Sequence, residues 1–320
     1  MTYSTGGPIQ AVDYNTFASV AEAMNSIFAD TNSGATTLPN AGYGYGQLPA
    51  LVPVSTGDRV TAAEWGSLFS TMRKSGAHQG TVVSPPIPVG NPAPGDLIAA
   101  YNTPSSFASV ITLLQANKFL LAPGQSVLTT GSSFIQPGSA KPWSSSLTFN
   151  FQVNFGSWNN ARYFFNSGGK LLLNGLMTPV NPSSPTPDET RWQSMLSAMS
   201  PLNFTYASST PSWGGGGSSI GFYGLTTSYQ NVYSRSSGGG GGYYYSSNNI
   251  TVRSKLANTA GSSGLIDFAI VLSDGDSLPV VKSSTMSYRV DTVVAAGLNI
   301  SYPGISTIYA VGANGGYVAT

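Results

Sequence analysis

Apolar and polar residues alternate strictly between Leu147 and Phe155, and this pattern constrains the fold more than any other part of the chain. A period of two places every apolar side chain on one face, which predicts a half-buried strand. Further strand candidates follow, separated by turn residues: Lys170–Asn174, Asn203–Tyr206, Ile220–Leu225, Gln230–Tyr233, Asn249–Lys255, Leu265–Ser273, Thr285–Val290 and Leu298–Ser301. Their spacing predicts a β-sandwich domain over residues 141–320, with one helix from Pro187 in a connection.

The first part of the chain has helical spacing instead. A first helix is expected at Asp13, which can cap it. A second begins at Thr61, where Thr61 and Glu64 form a T-x-x-E capping box; Trp65 anchors its apolar face, and Gly76 can end it. The predicted fold class is therefore α+β, mainly β, with a small α-helical N-terminal region followed by a β-sandwich domain.

Five prolines fall between residues 84 and 95, a composition typical of an extended linker. A third helix is expected from Phe107, because apolar residues recur there at helical intervals. We predict three parts: an N-terminal helical docking region over 1–83, a Pro-rich linker with a short helix over 84–140, and the β-sandwich domain with Gly-rich loops over 141–320.

The composition excludes several classes of function. Charged residues make up 8% of the chain, with 13 basic and 12 acidic side chains, so electrostatic binding to nucleic acid is not expected. The absence of cysteine excludes disulfides and thiolate metal sites. The first 15 residues lack the features of a signal peptide, and no apolar run is long enough for membrane insertion. Low charge also suits a subunit that buries surface against copies of itself.

Few residues suggest catalysis. His78, the single histidine, is expected in a loop, and no G-x-S-x-G motif accompanies it. Asp274-Gly275-Asp276 is interpreted as a tight turn rather than a calcium loop. The other acids of the second half are expected at a helix N-terminus (Asp188, Glu189) or paired with Arg253 or Arg289 (Asp267, Asp291). We expect no enzyme, no catalytic, metal or cofactor site and no cofactor; a polysaccharide depolymerase is the less favoured alternative.

Two glycine runs lie beside aromatic residues, at Trp213–Ser219 and Ser236–Tyr245. Tyrosine and tryptophan on such loops give a large contact area at low entropic cost. Trp213, Tyr243, Tyr244 and Tyr245 are therefore candidate interaction residues. They could contact a glycan of the host surface, as in a receptor-binding adhesin, or pack against a neighbouring subunit.

Several segments together resemble one family. The order GYGYGQ at Gly42–Gln47, VSTGDRVTAAEW at Val54–Trp65, His78-Gln79, and WNNARYFFNSGG from Trp158 is similar to virion structural proteins of tailed bacteriophages. The resemblance implies a tail, neck, fibre, collar or baseplate protein, assembled in the host cytoplasm. It implies as partners other virion proteins and copies of itself, as a trimer or hexamer. It brings no catalytic residues.

The most specific part of this resemblance is the ARYFFNSGG string. Residues 161–165 are interpreted as strand-like, followed by a turn at Asn166–Gly169. Arg162 would then pair with a strand carboxylate or stack on a ring. Together with Trp65, Thr61 and Glu64 it is expected to be a structural anchor.

Overall fold

The structure is a computed structural model of the chain. It describes residues 11–18, 24–29, 44–96, 98, 106–131, 143–237, 247–275, 285–301, 305, 307–310 and 317–319. The chain divides into two compact units. Unit 1 consists of Met1–Val127, Arg162–Gly169 and Val294–Pro303, and unit 2 of Leu128–Ala161, Lys170–Val293 and Gly304–Thr320. In the part of the chain that the structure describes, no helix has the length and apolar character needed to span a membrane.

Helices build the core of unit 1. They are α1 (Ala11–Ala18), α2 (Met24–Ile27), α3 (Ala62–Gln79) and α4 (Phe107–Ala116). The Trp65 ring packs edge-on against Tyr14 at 5.6 Å between centroids, and against Phe69 and Phe107 at 5.5 and 5.8 Å. Such aromatic clusters contribute most of the buried apolar area of a small helical core. Trp65 is therefore the centre of this core.

Helix α3 begins with the predicted capping box. The Thr61 N–H donates to Glu64 Oε2 at 2.6 Å, and the Glu64 N–H donates to Thr61 Oγ1 at 3.4 Å. The predicted end at Gly76 is wrong, because the helix continues to Gln79 and is capped by Gly80 in the left-handed conformation. Gly76 has another role: a Cβ there would lie 2.7 Å from the Thr81 carbonyl oxygen.

The segment expected to be a linker contributes to the core of unit 1. Ile87 is fully buried and belongs to the same hydrophobic cluster as Leu114 and Phe107 of α4. The Arg73 guanidinium donates to the carbonyl oxygens of Pro88 and Gly90 at 2.8 and 3.1 Å. An extended, solvated linker would show neither feature, so this part of the segment is packed; the expected boundary at residue 140 lies outside the described residues.

Antiparallel sheets build unit 2. The strands are β1 (Ser126–Thr129), β2 (Ser146–Asn154), β3 (Lys170–Thr178), β4 (Leu202–Phe204), β5 (Ser209–Pro211), β6 (Gln230–Ser236), β7 (Asn249–Leu256), β8 (Leu265–Ser273), β9 (Thr285–Ala295), β10 (Thr307–Ala310) and β11 (Tyr317–Ala319). One sheet has the order β1-β9-β3-β4-β5, and the other β10-β2-β8-β7-β6 with β11 also paired to β2. The fold class is thus confirmed as α+β, mainly β, and sandwich-like.

Aromatic side chains join the two sheets. Phe151 of β2 stacks on Tyr288 of β9, in the other sheet, at 4.6 Å, and on its cross-strand partner Phe268 of β8 at 5.2 Å. Phe204 of β4 meets Phe268 edge-on at 5.2 Å. These contacts fill the interior because the alternation of β2 turns its apolar side chains toward the opposite sheet.

A helix in this unit has the predicted position. Helix α6 (Pro187–Met199) begins with a second capping box, formed by Thr186 and Glu189. Its Trp192 is fully buried and packs edge-on against Trp143 at 5.5 Å. The proline at the first helical position is compatible with this start, because that N–H has no helical partner in any case.

Three strand predictions are wrong. Residues 161–165 lie in helix α5 (Trp158–Asn166), residues 220–225 contain the 3-10 turn Phe222–Gly224, and Leu298–Ser301 forms no strand. In α5 the buried Ala161 and Phe165 are four residues apart, which is helical spacing. Ser157 starts the helix, since its hydroxyl accepts from the Asn160 N–H at 3.1 Å. The aromatic residues Tyr163–Phe165 favour a strand, and they outweighed both the helical spacing and the capping serine in the sequence interpretation.

Candidate functional site: a buried motif junction and an exposed loop

The loop at Gly44–Gln47 is held by main-chain hydrogen bonds. The N–H groups of Tyr45, Gly46 and Gln47 donate to the carbonyl oxygens of Ile27, Ala29 and Phe28 at 3.0, 2.6 and 3.0 Å. Gly46 has a φ of +69°, and a Cβ there would lie 2.5 Å from the Tyr163 ring. Both its conformation and its closeness to this ring therefore require glycine.

Tyr45 links this loop to two helices. Its hydroxyl donates to the Lys118 carbonyl oxygen at 2.7 Å and accepts from Gln79 Nε2 at 2.7 Å. The same Gln79 amide donates to the Leu114 carbonyl oxygen at 2.9 Å. Burial raises the pKa of Tyr45 well above its usual range. The phenol therefore stays neutral and satisfies buried main chain at the end of α4.

His78 is not in a loop, as the sequence suggested, but buried in the last turn of α3. Its Nε2 lies 3.1 Å from the Ser167 carbonyl oxygen, which can only accept, so this nitrogen carries the proton. The ring also meets Tyr45 edge-on at 5.1 Å. Burial lowers the pKa of His78 to about 4, so the imidazole is neutral at pH 7. With 1% of its surface exposed, it is shielded from any dissolved substrate.

The end of helix α5 completes the arrangement. The Gly169 N–H donates to the Phe164 carbonyl oxygen and the Gly168 N–H to that of Phe165, which is a Schellman cap with Gly168 at a φ of +78°. The cap directs Asn166, whose side-chain amide donates to the Gly44 carbonyl oxygen at 2.9 Å. The NSGG turn is thus a helix end rather than a link between two strands.

We call Gly44–Gln47, His78-Gln79 and Tyr163–Ser167 the motif junction. It unites three of the sequence motifs described above, and all of it lies in unit 1. Its side chains hydrogen-bond to main-chain groups, to one another and to the Thr81 hydroxyl. Buried hydrogen bonds of this kind hold loops in fixed positions relative to helices. Sequence reasoning missed this convergence.

The four expected anchors are all placed by the structure. Trp65, Thr61 and Glu64 lie at the start of α3, as described above. Burial raises the pKa of Tyr14 to about 12, and the charge of Glu64 adds to that effect. Arg162 lies in α5, where its side chain is fully buried, so it is not on a strand.

The carboxylates of unit 2 serve structure. Asp267 Oδ2 lies 3.5 Å from Lys255 Nζ rather than pairing with Arg253, and its Oδ1 accepts from Gln152 at 2.6 Å. Asp291 pairs with Arg289 at 2.8 Å, as one of the two predicted alternatives, and accepts from the Gly131 N–H at 2.8 Å. The Asp267 contacts join β8 to its neighbours β7 and β2, whereas the Asp291–Arg289 pair lies within β9.

The other acids stand at turns and helix ends. Glu189 belongs to the capping box of α6 and also accepts from the Val180 N–H at 2.9 Å. Asp188 accepts from the Asn248 amide at 3.3 Å. Asp274 follows β8, and Asp276 lies outside the described residues. Within the described ranges, no group of three or more potential metal-ligating side chains occurs.

The first glycine run is an ordered loop against the edge of a sheet. Its Ser218 and Ser209 exchange two main-chain hydrogen bonds of 2.8 Å, and the Ser234 N–H of strand β6 donates to the Gly216 carbonyl oxygen at 2.9 Å. Trp213, at the start of the loop, exposes 74% of its surface. The other candidate interaction residues, Tyr243, Tyr244 and Tyr245, lie outside the described residues.

A groove of about 670 Å³ runs along the outer face of α3 in unit 1. Its lining includes Gly66, Ser67 and Ser70 of this helix, all of them small. Leu48 and Val52 also line it and expose 86% and 72% of their surfaces. Glu64 and Lys74 are also part of the lining, so both signs of charge are present along one helix face.

In comparisons with known proteins, no family model, no curated protein and no solved structure matches the chain.

Proposed function

We propose that this chain is a structural component of a bacteriophage particle, a tail, neck or fibre protein that docks through its N-terminal region and assembles as a homo-oligomer. The observation that carries the proposal is the motif junction. The residues that resemble virion proteins form buried contacts around Tyr45 and His78. This structural use of the motif residues fits a family of structural proteins, whose members share a fold rather than a reactive site. A protein that builds a particle needs a fixed shape more than a reactive group.

The groove along α3 supports assembly through unit 1. Its lining exposes Leu48 and Val52, and apolar surface of this kind is typical of an interaction site. Glu64 and Lys74 lie ten positions apart on α3, about 15 Å along the helix axis. An antiparallel second copy of α3 would place each Glu64 near the Lys74 of the other copy. A two-fold contact requires this self-complementarity.

Particle composition tests the proposal. Particles purified by density gradient from cultures that produce the protein are digested and analysed by mass spectrometry. We expect peptides of this chain in constant ratio to those of the other particle proteins. Peptides confined to the soluble fraction, with none banding with particles, would refute a virion role.

A paired substitution tests the assembly surface. Ser67→Arg places a long charged side chain in the groove, whereas Ala77→Arg makes a similar change at an exposed position of α3 outside it. Light scattering of the purified proteins should show an oligomer for the unchanged chain and for Ala77→Arg, and a smaller species for Ser67→Arg. Equal masses for the two variants would reject the groove as the contact.

A further inference from the structure

Trp213 differs from every other tryptophan in the chain. All five tryptophans are described, and Trp65, Trp143, Trp158 and Trp192 expose 6% of their surface or less. Trp213 exposes 74%. Leaving so large an apolar ring in water forgoes a burial free energy of about 1.5 to 3 kcal/mol, so an exposed ring in a fixed place suggests binding.

The loop that carries Trp213 requires its glycines. Gly214 and Gly216 have φ values of +81° and +103°, a region that favours glycine. A Cβ on Gly214 would collide with the Arg235 guanidinium, and one on Gly216 with the Ser234 carbonyl oxygen. Gly215 is different, because a Cβ there would meet nothing within 4 Å. The run is therefore a shaped support for the ring rather than a flexible tether.

The loop also lies on strand β6, which ends its sheet in the strand order. Gly217 forms a bridge to Tyr233, and Gly216 accepts from Ser234. An edge strand without such cover offers free main-chain groups to other chains. The loop thus fixes Trp213 against a rigid sheet, which lowers the entropic cost of binding.

The surroundings of the ring indicate the chemistry of the ligand. The nearest loop residues are glycine and serine, and Ser212, Ser219 and Ser234 are exposed. The Arg235 guanidinium lies against Gly214, the neighbour of Trp213, and also interacts with the Tyr233 phenol, whose pKa burial raises and Arg235 lowers. An exposed ring on a loop of glycine and serine, with a guanidinium against the next residue, offers stacking together with hydrogen-bond donors, whereas a protein contact would require further apolar side chains.

We propose that Trp213 is a stacking platform for a pyranose ring of a polysaccharide, with Arg235 donating to the hydroxyl or carboxylate groups of that sugar. The C–H face of the sugar packs on the indole, and the guanidinium sets its orientation. This site lies in unit 2 and belongs to the isolated protein. It goes beyond the virion role and does not depend on it.

Tryptophan fluorescence tests the site directly, because Trp213 is the one exposed indole and acrylamide quenches exposed indoles first. The probes are a neutral oligosaccharide, maltohexaose, and an acidic one, hexagalacturonate, at millimolar concentration. Either sugar should protect Trp213 from quenching. Preference for the acidic probe, lost in Arg235→Gln, would mean that Arg235 contacts a carboxylate; equal binding of both would assign it to hydroxyl groups.

Four variants separate the platform from its support. Trp213→Ala should weaken sugar binding about tenfold or more, and Trp213→Phe should retain much of it. Gly216→Ala should weaken binding through the displaced loop, whereas Gly215→Ala should leave it unchanged. Failure of both sugars to protect Trp213, or unchanged binding by Trp213→Ala, would overturn the proposal. So would protection that rises with protein concentration alone, which would identify a contact between copies.

Discussion

Units 1 and 2 are stabilised in different ways. In unit 2, main-chain ladders join the strands, and β2 pairs with β8 over nine residues from Ser146 to Asn154. In unit 1, side chains such as Tyr45 and Asn166 hydrogen-bond to the main chain of distant segments, around an aromatic core at Trp65. A ladder tolerates many side-chain changes, whereas a junction of single buried bonds depends on each residue type.

The largest loss of stability is expected from a substitution in the core of unit 2, and it tests whether the two units are stabilised separately. Phe151→Ala removes a fully buried ring that stacks on Phe268 and Tyr288. The loss should be about 3 to 5 kcal/mol of unfolding free energy, as for other buried aromatics. Hydrogen exchange should show weaker protection of β2 and β8, and unchanged protection of α3. Loss of protection in α3 to the same extent would mean that the two units unfold as one.

The second prediction concerns the stability of unit 1 at low pH. The pKa of His78 is lowered by burial to about 4, from an ordinary value of 6.5. Above pH 6.5 the imidazole is neutral in both the folded and unfolded states, so it contributes no pH dependence. As the pH falls from 6.5 to 4, the unfolded state binds the proton first. Stability is therefore lost over that window, by about 3 kcal/mol in total.

Chemical denaturation at a series of pH values measures this slope. Carboxylates also titrate near the lower end of the window, so the informative quantity is the difference between the unchanged chain and His78→Gln. The variant should lose less stability than the unchanged chain over the same pH range. Identical slopes would mean that the imidazole is not the buried, neutral group described here.

The third prediction compares two glycines of unit 1. Gly46 and Gly57 both have positive φ, at +69° and +96°, but only a Cβ on Gly46 would meet a ring, that of Tyr163. Each alanine variant should lose about 1 kcal/mol from backbone strain. Gly46→Ala should lose about 1 to 3 kcal/mol more, because the ring must move. Thermal unfolding that shows equal losses would argue against the close approach of Tyr163.

The smallest expected effect uses the two capping boxes. Thr61→Ala at the start of α3 and Thr186→Ala at the start of α6 each remove one cap from one unit. Each should lower stability by about 1 kcal/mol. Both are measured by equilibrium urea unfolding, and no assembly or binding should change. An unchanged midpoint for either variant would show that its cap contributes nothing.

Much of the fold could be predicted from local signals. The alternation in β2, the T-x-x-E box before α3 and the apolar spacing of α4 each depend on neighbours within a few residues, and all three predictions agree with the structure. Helix α5 was missed because an aromatic run with β-propensity outweighed the start signal at Ser157 and the end signal at Gly168.

The motif junction could not be predicted in this way. Its hydrogen bonds join residues far apart in sequence: Tyr45 and Lys118 are separated by 73 positions, His78 and Ser167 by 89, and Asn166 and Gly44 by 122. Nothing local in the sequence encodes these pairings. The same holds for Trp213, whose exposure depends on how the glycine loop lies on strand β6.

The central claim is that separate motifs meet in one buried junction, and a double-mutant cycle on Tyr45 and Gln79 tests it most directly. The Tyr45 hydroxyl and Gln79 Nε2 are 2.7 Å apart, and each also contacts main chain at the end of α4. Stability is measured for Tyr45→Phe, Gln79→Ala and the double variant. We predict a coupling free energy of about 0.5 to 3 kcal/mol, because each single change already removes the hydrogen bond that the two side chains share and leaves the remaining partner unsatisfied. Strictly additive losses would contradict the junction.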